Sequence, residues 1–111
     1  MMQATKDLPV GFQLPTRTFE LTRESIARFH YMVHRMETGE EVPGKNIHTD
    51  PAFARSRGLP DVIADGSQTT AEISRVLTEF FGEGFLRGGS LSTKFIKPVY
   101  PDYALNIDLV I

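Results

Sequence analysis

The sequence predicts a single α+β domain built around one amphipathic helix over residues 67–81. Three observations support this prediction. The 111 residues suit one domain with one core. Two segments near the C-terminal end alternate apolar and polar residues, as half-buried strands do. The third observation is an apolar face at positions i, i+3, i+4, i+7 and i+8, formed by Ile73, Val76, Leu77, Phe80 and Phe81.

The elements before this helix follow from local signals. Residues 1–15 contain two prolines and a glycine, which predicts an arm along the surface. Residues 16–21 alternate as a strand does. Thr22 is a candidate N-cap for a helix that ends at residues 38–39, where a glycine follows a threonine. Residues 40–47 contain a Pro-Gly pair and few apolar side chains, which predicts a loop.

The remaining elements complete the α+β pattern. Asp50 and Pro51 begin a short helix, which Gly58 ends. Gly82 ends the long helix, and strands are predicted over residues 90–96 and from residue 104 onwards. The last segment reads as a strand up to the final residue and needs a partner at its free edge. Either more chain follows, or another subunit covers that edge.

Composition and charge restrict the function. The net charge is −2 without a basic block, so no nucleic-acid partner is expected. The absence of cysteine excludes disulfides, thiolate nucleophiles and cysteine-bound zinc. The first residues lack the apolar core of a secretory signal, and no segment approaches the length of a membrane span. These features predict a cytoplasmic protein that does not associate with membranes.

The three histidines differ in their surroundings. His30 and His34 lie four residues apart on one helix face, a spacing that can hold a metal ion. No glutamate lies between them and no third ligand follows in register, so we expect solvated side chains, or a pair bordering a cleft, and no metal site. His48 precedes a capped helix and is therefore held in place. Imidazole exchanges protons near neutrality, so His48 is either a proton-transfer group or an ordinary loop histidine.

The beginning of the long helix is a second candidate site. Gly66 would let a ligand approach free backbone N–H groups, at the positive end of the helix dipole. Such an end suits a carbonyl oxygen that gains negative charge. The alternative is purely structural, with Asp65 or Ser67 capping the helix.

Residues 46–66 resemble the signature of MaoC-like dehydratases, the family that includes (R)-specific enoyl-CoA hydratases. In that family an Asn-Pro-Ile-His-Thr-Asp type run leads into a short helix, and an Ile-Ala-His-Gly type element opens the central helix. Residues 86–89 and 94–102 resemble the strand and turn that follow. The resemblance covers roughly residues 20–111, and the order and spacing after His48 are specific.

The resemblance implies a hotdog fold, in which an antiparallel sheet wraps around the central helix, and a homodimer or a heterodimer with another hotdog chain. It also implies hydration or dehydration of an enoyl or 3-hydroxyacyl thioester carried on coenzyme A or acyl carrier protein, without a cofactor. His48 matches the catalytic histidine. Gly66, together with Ser67, matches the backbone N–H groups that hold the thioester oxygen.

Two positions depart from the family pattern. The catalytic aspartate usually stands five residues before the histidine, where this chain has Pro43. Glu40 follows a Thr-Gly pair, as that aspartate does, and Glu41 is the next candidate. The second departure is Asp65, where the family often has histidine. A carboxylate at a helix N-terminus favours its ionised form, so Asp65 could partner His48 or repel an oxyanion.

The sequence therefore predicts a hydratase or dehydratase that uses general acid–base chemistry. The departures leave two alternatives open. One is a hotdog subunit that binds an acyl thioester without catalysis, and the other is a hotdog thioesterase.

Overall fold

The computed structural model describes residues 4–111 and contains four helices and two strands within that range. Their order is β1 (Arg17–Glu20), α1 (Arg23–Thr38), α2 (Pro51–Ser56), α3 (Gly66–Phe81), α4 (Glu83–Gly88) and β2 (Ala104–Ile107). None of the helices in residues 4–111 has both the length and the apolar character needed to cross a bilayer.

Local capping signals set the helix boundaries as predicted. The Thr22 hydroxyl accepts a hydrogen bond from the backbone N–H of Ser25, and α1 ends at Gly39, whose φ of 78° is left-handed. The Asp50 carboxylate caps α2 by accepting from the N–H of Phe53. The long helix α3 ends at Gly82 as expected.

The two strands pair antiparallel in register from Arg17 opposite Ile107 to Glu20 opposite Ala104. Beyond these strands the two segments remain paired less regularly, and the N–H of Leu14 donates to the Leu109 carbonyl at 2.9 Å. Leu14 is only 1% exposed, so the expectation that residues 1–15 lie along the surface is wrong for this part of the segment. An apolar side chain at the edge of the sheet gains more by joining the core than by remaining in water.

The central helix packs its apolar face against this sheet. Val76 and Phe80 of α3 form one buried cluster with Leu14 and Ile107. A second cluster, formed by Leu21, Ile26 and Ala64, joins the start of α1 to the segment before α3. The second cluster therefore places the N-terminal end of α3 next to α1.

Two expectations for the chain after α3 are wrong. Residues 83–88 form α4, with Glu83 in its first turn and Arg87 in its last, where the resemblance implied a strand and turn. Residues 90–96 form no strand, and no segment of residues 4–111 pairs with them. An alternating sequence becomes a strand only when a neighbouring backbone completes its hydrogen bonds, so Phe95 and Ile96 stay exposed.

Candidate active site

The loop that carries His48 is held by side-chain hydrogen bonds. The Asn46 side-chain oxygen accepts from the backbone N–H groups of His48 at 2.8 Å and Thr49 at 2.9 Å. The Asn46 amide donates to the Thr49 hydroxyl at 2.7 Å. Such an Asx-type turn fixes the backbone on which the imidazole stands. The backbone of His48 is therefore held in place by hydrogen bonds, as the sequence predicts.

The segment of residues 61–65 runs between this loop and the chain after α4. The Ile63 N–H donates to the Ile47 carbonyl at 3.1 Å, and the Ala64 N–H donates to the Val99 carbonyl at 2.9 Å. The side chain of Val62 in the same segment is buried, with 2% exposed. The segment is therefore fixed on both sides up to the residue where α3 begins.

An ion pair ties the same segment to the start of α1. The Arg23 guanidinium binds the Asp61 carboxylate with two parallel hydrogen bonds, one of them 2.8 Å long. The hydrogen bonds from Arg23 lower the pKa of Asp61 to about 2. The pair is partly exposed, so it contributes modestly to stability. Its geometry holds α1 next to the residues that precede α3.

His48 contacts this segment through both ring nitrogens. Its Nδ1 atom lies 2.7 Å from the Ile63 carbonyl oxygen. A carbonyl oxygen only accepts, so Nδ1 carries a proton. The Nε2 atom then faces Asp65, with 3.4 Å separating it from Oδ1 of that carboxylate. The sequence-based candidates His48 and Asp65 are therefore neighbours.

His30 completes the cluster. Its Nδ1 atom lies 3.0 and 3.2 Å from the two carboxylate oxygens of Asp65, and its ring centroid lies 4.7 Å from that of His48. The expectation of a solvated His30 is wrong, because its side chain is only 17% exposed. One signal in the sequence pointed this way, since His30 follows the buried Ile26 by one helical turn.

Asp65 occupies the N-cap position of α3 without capping it. Its side chain makes no hydrogen bond to the helix backbone, and it turns towards His30 and His48 instead. The side chain is 15% exposed. A carboxylate that is removed from water in this way needs hydrogen-bond donors or cations around it, and Nδ1 of His30 provides one such donor.

The other carboxylate candidates lie elsewhere. Glu40 lies beyond the C-terminal end of α1, with its carboxylate 3.5 Å from Nε2 of His34. Glu41 lies beside it, 3.6 Å from the Arg35 guanidinium. Both side chains are largely exposed.

The expectation that His34 is solvated is also wrong, because its side chain is only 19% exposed.

A cavity of about 730 Å³ opens beside the cluster and includes His48 and Gly66 in its lining. Apolar walls come from Ile73 and from the irregular segment of residues 91–99. The Phe95 ring lies over Gly66, and a methyl group on this glycine would come within 2.8 Å of the ring. Ser67 is exposed in the first turn of α3 and does not line the cavity.

Comparisons with known proteins agree with this architecture. A family model described as "MaoC like domain" matches residues 32–111. The crystal structure of the ChsH1-ChsH2 complex from Mycobacterium tuberculosis is similar, with a TM-score of 0.67 and 16% identity over 90% of this chain and 72% of that chain. A MaoC-like dehydratase is similar with a TM-score of 0.52 and 28% identity, over 73% of this chain and 22% of that chain.

The chain thus spans about a fifth of the length of that dehydratase. A search of curated protein sequences gives no match. The structural similarity confirms the predicted hotdog fold, of which the described residues form the central helix and a two-stranded part of the sheet. Because the family model covers well over half of the residues, the chain belongs to the MaoC-like domain family.

Proposed function

We propose that the protein hydrates an enoyl thioester, or dehydrates the corresponding 3-hydroxyacyl thioester, with His48 as the proton-transfer group. The observation that carries this proposal is the position of His48 at the cavity wall, with its Nε2 atom 3.4 Å from the Asp65 carboxylate. The family assignment supports the reaction class. That the substrate is an acyl thioester carried on coenzyme A or acyl carrier protein is likewise a proposal.

In the hydration direction, His48 Nε2 accepts a proton from water while the water oxygen bonds to C3 of the enoyl group. The imidazolium then donates that proton to C2 on the same face, which completes a syn addition and restores neutral His48. Positioned proton transfer of this kind contributes a factor of about 10²–10⁴ to the rate. Asp65 acts on this step by stabilising the imidazolium and by orienting the ring.

The N-terminal end of α3 would stabilise the intermediate. Negative charge develops on the thioester oxygen as the water oxygen attacks C3. The Gly66 N–H is one of the first N–H groups of the helix, which lack intrahelical acceptors, and Gly66 lies in the cavity wall. Donors at such a position contribute a factor of about 10²–10³. Ser67 would supply its backbone N–H only, because its side chain is exposed.

The cavity suits an apolar acyl group on a charged carrier. Its volume of about 730 Å³ lies within the usual range for small-molecule sites. Ile73 and Leu91 offer apolar contact for the acyl chain, and the exposed Lys94 and Lys97 also line the cavity. We propose that these two ammonium groups meet the phosphates of coenzyme A or of the phosphopantetheine arm of acyl carrier protein.

Residues 90–96 supply the argument for a partner chain. Their alternating sequence has no pairing segment within residues 4–111, and Phe95 and Ile96 are exposed. We propose that a second hotdog chain, identical or different, covers this segment. The same observation favours the second candidate function, in which the chain binds an acyl thioester, or pairs with an active subunit, without catalysing hydration itself.

The test is a hydration assay with crotonyl-CoA and longer enoyl-CoA substrates, which follows the loss of the conjugated enoyl absorbance. We expect turnover by the wild type and a loss of at least about 100-fold in His48→Ala. The matched control is His34→Ala, which removes a similarly buried histidine outside the cluster and should retain activity. Equal activity in wild type and His48→Ala would contradict the role of His48.

The alternatives give different results. Acyl-CoA binding by calorimetry without hydration would indicate the non-catalytic subunit. Release of free coenzyme A from acyl-CoA would indicate a thioesterase.

A further inference from the structure

Three side chains with metal-binding atoms converge in the cluster of His30, His48 and Asp65. They come from three different parts of the fold, namely α1, the loop before α2 and the N-cap position of α3. One potential ligand atom of each residue lies within 4.8 Å of those of the other two. The three side chains are 15–18% exposed, so the cluster is shielded but reachable.

The hydrogen bond between His48 and Ile63 determines which nitrogen is free. Nδ1 donates its proton to the Ile63 carbonyl, which leaves Nε2 of the neutral ring with a lone pair. That lone pair faces Oδ1 of Asp65 at 3.4 Å, and the carboxylate oxygen is also an acceptor. Two acceptors at this distance need a positive group between them, either a proton or a cation.

The distances from Asp65 to the two imidazoles are close to those between neighbouring ligands of one cation. Bonds of about 2.0–2.2 Å in a tetrahedral zinc site place neighbouring ligand atoms roughly 3.3–3.6 Å apart. The distance from Asp65 to His48 Nε2 is 3.4 Å, and His30 Nδ1 lies 3.0 and 3.2 Å from the two Asp65 oxygens. The ligand atoms of His30 and His48 lie within 4.8 Å of each other, so the two rings must move closer together when they bind a cation, and the proton on Nδ1 of His30 must leave that atom.

We propose that His30, His48 and Asp65 bind a divalent transition-metal cation such as Zn²⁺. Two imidazoles and one carboxylate form a donor set that such ions prefer, and three protein ligands leave one coordination position open. The Ile63 carbonyl orients the His48 ring in the manner of a typical outer-shell partner. The spacing of His30 and His34 did not predict this site, because His34 lies near Glu40 instead.

The cation would compete with the proposed hydration chemistry. A metal ion on Nε2 of His48 occupies the lone pair that accepts the proton from water. Binding therefore traps the protein in a form that cannot transfer this proton, and Zn²⁺ is expected to inhibit turnover until a chelator removes it. This consequence rests on the proposed function, whereas cation binding itself does not.

The experiment is calorimetric titration of the full chain with ZnCl₂ after dialysis against EDTA. We expect one Zn²⁺ per chain in the wild type and at least a tenfold weaker Kd in His30→Ala and in Asp65→Asn. The matched control is His34→Ala, which should keep the wild-type Kd. Absence of Zn²⁺ binding, or an unchanged Kd in both cluster variants, would overturn the proposal.

A second measurement needs no variant of the cluster. In ¹⁵N spectra of the histidine rings of the wild type, saturating Zn²⁺ should shift the signals of His30 and His48 and leave that of His34 in place. Shifts confined to His34, or the absence of shifts, would refute the site. Zn²⁺ binding by a chain whose metal-free form has no hydratase activity would leave the site standing and refute the proposed function, whereas hydratase activity in a chain that does not bind Zn²⁺ would refute the site alone.

Discussion

Asp65 occupies the N-cap of α3, but its carboxylate lies 3.0 Å from Nδ1 of His30 and makes no hydrogen bond to its own helix. An N-cap side chain usually binds one of the first backbone N–H groups and stabilises the helix by about 1 kcal/mol. In this chain that contribution is absent, and the carboxylate lies between two imidazoles. Departures of this kind from local rules are expected at functional sites.

The substitution Asp65→Asn tests that assignment. Because Asp65 makes no capping bond, its loss should change the free energy of unfolding by less than about 1 kcal/mol. Hydration should fall at least about tenfold, equivalent to roughly 1.4 kcal/mol of barrier, because the imidazolium of His48 loses its negative neighbour. Chemical denaturation and the enoyl-CoA assay measure the two quantities. Activity at the wild-type level would contradict the assignment.

Gly66→Ala tests the space over the N-terminal end of α3. The new methyl group would lie 2.8 Å from the Phe95 ring, and the exposed ring can move away at little cost in stability. We expect near-normal unfolding but weaker catalysis, because the displaced ring changes the cavity beside the Gly66 N–H. Steady-state kinetics and thermal unfolding measure these effects.

The control for Gly66→Ala is Gly84→Ala, because Gly84 is also helical and has no atom within 4 Å of the added methyl group. It should leave kcat and KM unchanged. If the double variant Gly66→Ala with Phe95→Ala is no more active than Gly66→Ala alone, the steric explanation fails.

The ion pair of Arg23 and Asp61 predicts a dependence of stability on pH. Hydrogen bonds from Arg23 lower the pKa of Asp61 from 3.8 to about 2. The carboxylate therefore stabilises the fold fully above about pH 4, and this contribution is lost as the pH falls towards 2. Because the pair is partly exposed, we expect it to contribute about 0.5–1 kcal/mol to the free energy of unfolding.

The measurement compares the free energy of unfolding of wild type and Asp61→Asn by urea denaturation at pH 6 and pH 3. The wild type should be the more stable protein at pH 6, and the difference should shrink at pH 3. A difference that stays constant between the two pH values would argue against the ion pair.

Phe80→Ala tests the core between α3 and the sheet. Phe80 is fully buried in the cluster with Leu14, Val76 and Ile107, and truncation of a buried phenylalanine costs about 3–5 kcal/mol. A cost of this size is a large part of the stability of a small domain. Thermal unfolding followed by circular dichroism should show a large decrease in Tm. The neighbouring Phe81 is 38% exposed, so Phe81→Ala should have a clearly smaller effect.

The sequence by itself determined the boundaries of most helices and pointed to His48 and Gly66 as candidate site residues. Capping residues such as Thr22 and Asp50, and the glycines at 39 and 82, set helix boundaries through interactions within a few residues. The same local signals placed His48 before a capped helix and Gly66 at the start of α3. These features depend on neighbours along the chain, so they can be predicted from the sequence.

Only the tertiary structure decided which groups meet. His30 and Asp65 are 35 residues apart in sequence and come together because the clusters around Ile26 and Ala64 pack α1 against the segment before α3. Tertiary packing also favours Asp65 over Glu40 as the neighbour of His48. Residues 90–96 show the same dependence on tertiary structure. Their apolar and polar residues alternate, but they form no strand because no described segment pairs with them. Contacts between distant segments depend on the packing of the whole fold, which no local pattern encodes.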